Sequence, residues 1–125
     1  MNMSMTEHLF SYGSLQSPLV QKKTFGREVE SSADLLPGYR LGLVRIEDEA
    51  IVAASGMTHY NNIIYTGDPA DEISGIVLSV TTEELQQADK YEEEADYTRI
   101  RVQLKSGNEA WVYASAKSIK KPSAN

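Results

Sequence analysis

The alternation of apolar and polar positions divides the chain into short strands and two helices. Residues 8–12 (HLFSY) form an apolar, aromatic run that stops at Gly13-Ser14, which predicts a first strand feeding a loop. Ser17-Pro18 suits a helix start, with Ser17 as N-cap and Pro18 in the first turn. That helix is expected to turn Leu19, Val20 and Phe25 inward and to end near Gly26. Residues 28–35 read as a strand and Leu36-Pro37-Gly38 as a turn. Across 39–46, Tyr39, Leu41 and Leu43 alternate with Arg40, Gly42 and Val44, a further strand signal. The short apolar run 51–54 is compatible with a strand. Residues 55–65, broken by Gly56, Asn61 and Asn62, read as irregular. A buried strand is expected over 73–80. The alternation over 97–104, the turn Ser106-Gly107-Asn108 and the apolar 109–114 predict a hairpin.

The clearest helix signal is 81–97. Thr81 and Glu84 have the spacing of a capping box, in which hydroxyl and carboxylate satisfy two orphan amide donors. Leu85, Ala88, Asp89 and Glu92 then fall at i, i+3, i+4 and i+7, one helical face. Glu83, Gln86, Gln87, Lys90, Glu93 and Glu94 lie mostly on the other side. The face that should be apolar thus carries two carboxylates. Burying a carboxylate is costly unless it is hydrogen-bonded or neutralised. Either Glu92 is a partly buried general base with a raised pKa, or the helix ends early and Glu92 opens a solvated acidic run with Glu93, Glu94 and Asp96.

About six strands and two helices predict an α+β fold, a small mixed, mostly antiparallel β-barrel with flanking helices. Residues 8–114 are read as one domain, 1–7 as a disordered N-terminus and 115–125 as a polar C-terminal tail that includes the basic run 117–121. A length of 125 residues suits one core and not two.

A formal net charge of -6 argues against a nucleic-acid partner. The absence of cysteine excludes disulfides and thiolate chemistry. No leader-like start and no membrane-length apolar run are seen, so the expected location is cytoplasmic, with no membrane partner. His8 and His59 do not fall in a metal-ligand spacing, and His8 reads as structural. Ser14 lacks the context of a nucleophile elbow. The loop Tyr12-Gly13-Ser14-Leu15 has two readings: a backbone nest for an anion or carboxylate, or a plain strand-to-helix turn.

In order along the chain, LFSYGSL (9–15), PGYRL (37–41), SGIVLSVT (74–81), ADKYE (88–92), YTRIRV (97–102) and AWVYA (110–114) together resemble the gamma-glutamylcyclotransferase-like family, which includes AIG2-like proteins. TFGRE and TGDPADEISG are similar to the versions in a bacterial branch. The resemblance implies a small mixed barrel and a gamma-glutamyl substrate. Its Y-G-[ST]-L backbone, here Tyr12, Gly13, Ser14 and Leu15, would hold the gamma-glutamyl group. Its motif glutamate, here Glu92, would be the acid/base, and Tyr97 would stand near the pocket. The reaction implied is cyclisation to 5-oxoproline with release of an amine, with no metal or cofactor. Where the family often has Gly after the glutamate, this chain has Glu93 and Glu94. Leaving-group specificity is expected in residues 50–62. The alternative is a non-catalytic domain that binds a carboxylate-bearing metabolite in the same pocket. Either would act as a monomer or homodimer.

Overall fold

The computed structural model describes residues 6–45, 49–56, 59–94 and 96–115. The strands are β1 (Thr6–Ser11), β2 (Ser31–Pro37), β3 (Tyr39–Arg45), β4 (His59–Tyr65), β5 (Glu72–Thr81), β6 (Tyr97–Gln103) and β7 (Glu109–Ser115). The helices are α1 (Pro18–Phe25), α2 (Glu49–Ser55) and α3 (Thr82–Glu93), with a 3-10 turn at Ser14–Gln16.

Five strands form one sheet in the order β2-β5-β1-β7-β6, and β3 and β4 form a separate ribbon. All pairings are antiparallel except β1 with β7, where Leu9 faces Trp111 and Phe10 faces Val112. The chain is therefore α+β with a mostly antiparallel sheet. The hydrogen bonds do not show the closed barrel expected from the sequence. The sheet's two edges meet at one corner, where Lys105 N–H donates to Leu35 O at 2.9 Å. There Asp34 also accepts from the Ser106 hydroxyl at 2.6 Å. The ribbon leaves the sheet at Gly38 and packs on its face instead of extending it.

Residues alternate between the sheet's faces, so both sides are buried. One face sets Leu9, Leu78, Val80, Tyr97 and Tyr113 against Leu85 and Ala88 of α3 and Phe25 of α1. The other sets Phe10, Leu36, Val77 and Val112 against Ile63 of the ribbon. Each large apolar side chain buried this way contributes about 1.5–3 kcal/mol. Gly75 lets β5 approach β1: a Cβ there would collide with Ser11 O and stand 2.6 Å from the Phe10 ring.

Four local expectations are corrected. Residues 51–54 lie in α2, which Gly56 closes in a left-handed conformation with its N–H on Val52 O. A four-residue apolar run does not reveal its own period. Residues 59–65 form β4 although Asn61 and Asn62 disfavour strands. Asn62 is buried and its Oδ1 accepts from Ser115 N–H at 2.9 Å, a partner that lies far away in sequence. Leu19 is 76% exposed; the buried positions of α1 are Gln21 and Phe25, and Val20 packs partly buried against the core as expected. His8 faces solvent. At the chain ends β1 starts at Thr6 and β7 runs through a buried Ser115. The rest of the expected N-terminal and C-terminal tails, 1–5 and 116–125, lies outside the described residues, as do 46–48, 57–58 and Ala95.

Candidate active site

The site is built at the C-terminal end of α3, and α3 is aimed from its N-terminus. Thr81 Oγ1 accepts from Glu84 N–H at 3.1 Å and Glu84 Oε1 accepts from Thr81 N–H at 2.9 Å, completing the capping box. Arg27 then grips the Glu84 carboxylate through two nitrogens, at 2.7 and 2.9 Å, and tethers the helix start to the segment after α1. Hydrogen bonds from Arg27 first, and from Thr81, hold the Glu84 carboxyl below the usual carboxylate range despite partial burial. Leu85 and Ala88 are buried on the sheet, and the helical period carries Asp89 and Glu92 onto the same face. The helix does not end early. Glu92 sits in its last turn, and the chain turns back at Asp96, whose φ of 63° is a conformation aspartate tolerates. The left-handed position thus falls after Glu93 and Glu94, and a glycine directly after Glu92 is not required to make this turn.

The two acids differ in their surroundings. Asp89 Oδ1 lies 3.1 Å from Arg99 Nε and accepts from the Tyr113 hydroxyl at 2.6 Å. Among the described residues, no ion pair includes Glu92. Burial alone pushes its carboxyl up to about 7, because a charge removed from water and given no counter-charge prefers to be neutral.

Two tyrosines, Tyr12 and Tyr113, feel its charge. Tyr12 is pushed above the ordinary phenol range by burial first, then by Tyr97 and by the charge of Glu92. Tyr113 is pushed up by burial, by its bond to Asp89 and, less, by Glu92. The Tyr12 hydroxyl donates to Tyr113 O at 2.7 Å, joining the loop after β1 to the last strand. Tyr12, Tyr97, Tyr113, Asp89 and Glu92 therefore form one cluster.

The expected binding loop adjoins this cluster through Tyr12. Gly13 N–H makes a long contact of 3.4 Å to Ser11 Oγ, and Gly13 O accepts from Gln16 N–H at 3.0 Å, closing the 3-10 turn. The first amides of such a turn have no acceptor within it. Gly13 is not in the left-handed region, and a Cβ on it would meet nothing within 4 Å. Its missing side chain leaves open space over the loop. Leu15 belongs to the core, 2% exposed, so it contributes main chain and not side chain. The backbone of Ser14 lies in the 3-10 turn.

Gln21 holds the loop in place, and sequence reasoning missed it. It is 4% exposed; its Nε2 donates to Leu15 O at 2.9 Å and its Oε1 accepts from Val29 N–H at 3.1 Å. Its position at i+3 from Pro18 and i–4 from Phe25 marks an inward helical face, a signal hidden by its polarity. Tyr113 belongs to the core and, through its contact with Asp89 and the charge of Glu92, also to the site. A separate surface groove of about 410 Å³, lined by Asp34, Leu35, Gly75, Lys105 and Ser106, lies at the stitched sheet corner and not at Glu92.

The chain belongs to the family described as gamma-glutamyl cyclotransferase, AIG2-like, whose sequence model matches residues 9–124. Members of that family are generally cyclotransferases. No curated protein is similar enough to the chain to count as a match. Among solved structures, a solution structure from Arabidopsis thaliana has a TM-score of 0.68 at 21% identity, over 95% of this chain and 68% of that one. A second from the same organism has a TM-score of 0.65 at 24% identity, over 94% and 72%. A structure of a gamma-glutamyl cyclotransferase has a TM-score of 0.67 at 17% identity, over 90% and 68%. These likenesses establish the shared fold. Among the described residues no helix is long and apolar enough to cross a membrane.

Proposed function

We propose that this chain is a cyclotransferase that acts on a gamma-glutamyl amine or peptide. The substrate's α-amine attacks its own side-chain carbonyl. The carbon–nitrogen bond to the leaving amine breaks, and 5-oxoproline remains. Holding the folded conformer is a large part of such catalysis. Glu92 takes the proton from the α-ammonium and returns it to the leaving nitrogen, and the second proton that the attacking nitrogen sheds on ring closure goes to the released amine, so the carboxyl ends as it began. A carboxyl poised near neutral pH suits both transfers. Backbone amides of the Tyr12 to Leu15 loop face the carbonyl oxygen as it gains charge. Tyr12 and Tyr97 form the wall beside the reacting atoms.

The observation that carries this reading is the environment of Glu92: partly buried, raised to about 7, with Tyr12 and Tyr113 feeling its charge and, among the described residues, no cation paired to it. The test is a screen of the purified protein against gamma-glutamyl amino acids, peptides and amines, with 5-oxoproline as the readout. Release from one of them supports the reading, and the best substrate names the leaving group. No release from any, in folded protein, turns the reading to a binding domain for a carboxylate-bearing metabolite.

A further inference from the structure

Two donors converge on one oxygen. The Tyr113 hydroxyl and Arg99 Nε both reach Asp89 Oδ1, at 2.6 and 3.1 Å. Arg99 is itself held from the other side, its guanidinium carbon 4.4 Å from the centre of the Trp111 ring. Trp111 Nε1–H donates to Glu7 at 3.2 Å. Asp89 is thereby a charged acceptor in a fixed place.

A phenol has one proton to donate. The Tyr113 proton goes to Asp89, with a longer contact to Leu85 O at 3.4 Å. The Tyr12 proton goes to Tyr113 O. Both phenols feel the charge of Glu92, yet neither donates to it. This matters because a hydrogen bond donated to a carboxylate favours its charged form and weakens it as a base. Burial raises Glu92, and a freed phenol beside it would undo that effect.

We propose that Asp89 and Arg99 are positioning residues that hold the Tyr113 hydroxyl proton away from Glu92, leaving the Glu92 carboxylate to the substrate. The proposal rests on Glu92 being the proton-transfer group. Tyr12 from the loop and Tyr113 from β7 both feel the charge of Glu92; Tyr97 of β6 acts on Tyr12, and Asp89, paired with Arg99 of β6, lies about one turn earlier on α3. Helix α1 and strand β5 meet α3 through apolar Phe25, Leu78 and Val80. Arg27 is paired with Glu84 about two turns away.

The test is a ¹³C NMR titration of the Glu92 carboxyl in the parent, Asp89→Ala, Tyr113→Phe and the double variant. Asp89→Ala frees the phenol and is expected to lower the Glu92 midpoint by about one pH unit. Tyr113→Phe alone leaves it near the parent value, and adding Tyr113→Phe to Asp89→Ala recovers most of the drop. An unmoved midpoint in Asp89→Ala overturns the proposal. So does an equal drop with and without the phenol, because Asp89 would then act through its charge alone. If Asp89→Ala does not fold, Arg99→Gln with and without Tyr113→Phe makes the comparison at constant charge: the variant that keeps the phenol is expected to titrate below the one that lacks it, and equal midpoints overturn the role of Arg99. The titration needs no turnover. An inactive parent, or a fully active Glu92→Gln, would therefore sink the cyclotransferase reading without deciding this one.

Discussion

Asp89 and Glu92 lie about one turn apart on the same face of α3, and the first has a cation while the second, among the described residues, has none. Arg99 stands 3.1 Å from Asp89. Burial without a counter-charge lifts Glu92 to about 7. Two carboxylates on one helical face are thus given different tasks by their surroundings: one anchors Tyr113, the other stays ready to exchange a proton near neutral pH.

That difference has a consequence for stability. The Glu92 carboxyl binds its proton more tightly in the folded chain, with a pKa of about 7 against an ordinary 4.5. Its contribution to folding is fully present below pH 4.5 and is lost as pH rises through 7. Glu92→Gln is neutral at every pH. It is expected to be more stable than the parent at pH about 8, by up to about 3 kcal/mol, and within about 0.5 kcal/mol of it at pH about 4. Urea unfolding at the two pH values checks this, and a variant less stable than the parent at the higher pH contradicts it.

Gly13 separates a site residue from a structural one. Its backbone is not left-handed and a methyl there has room. Gly13→Ala is expected to change stability by less than about 0.5 kcal/mol. If substrate lies against the loop, its KM rises by about tenfold, equivalent to about 1.4 kcal/mol. Unfolding curves and steady-state kinetics on the same preparation read both. An unchanged KM removes the loop from the substrate contact.

Gln21 makes the opposite prediction. Replacing it by Leu keeps the volume roughly but strips Leu15 O and Val29 N–H of their buried partner. Each buried group left unsatisfied costs about 1–3 kcal/mol. Gln21→Leu is therefore expected to lose about 2–4 kcal/mol in urea unfolding, and a loss below about 1 kcal/mol would mean that the loop is held by other contacts.

Thr81 lies about three turns from Glu92 and aims the helix that carries it. Thr81→Ala removes the acceptor for Glu84 N–H, at a cost of about 1 kcal/mol. The pH dependence of Glu92 is expected to be unchanged in the folded variant. A shifted Glu92 midpoint would show that the cap and the site are coupled through the helix.

Local rules made much of the frame legible. The capping box at Thr81 and Glu84, the helix start at Ser17-Pro18, the stop at Gly26 with φ 81° and the hairpin turn at Gly107 each depend on a few neighbouring residues. Helical period put Asp89 and Glu92 on the inner face, provided that the helix ran through Glu92, as it does. The division between them did not, because it depends on Arg99 and Tyr113, which arrive from β6 and β7. Gln21 was hidden for a related reason: a polar residue inside a core is understood only through its partners at Leu15 and Val29. Residues 59–65 failed as a strand prediction because pairing with β3 and the Asn62–Ser115 bond outweigh asparagine's poor strand propensity.

The most direct test of the central claim compares 5-oxoproline release by the parent and by Glu92→Gln on the best gamma-glutamyl substrate. The expected result is a folded variant with kcat lowered by about 10²–10⁴-fold, while the parent's kcat/KM rises with pH through a midpoint near 7. A folded Glu92→Gln that keeps the parent's turnover would show that Glu92 does not carry the proton.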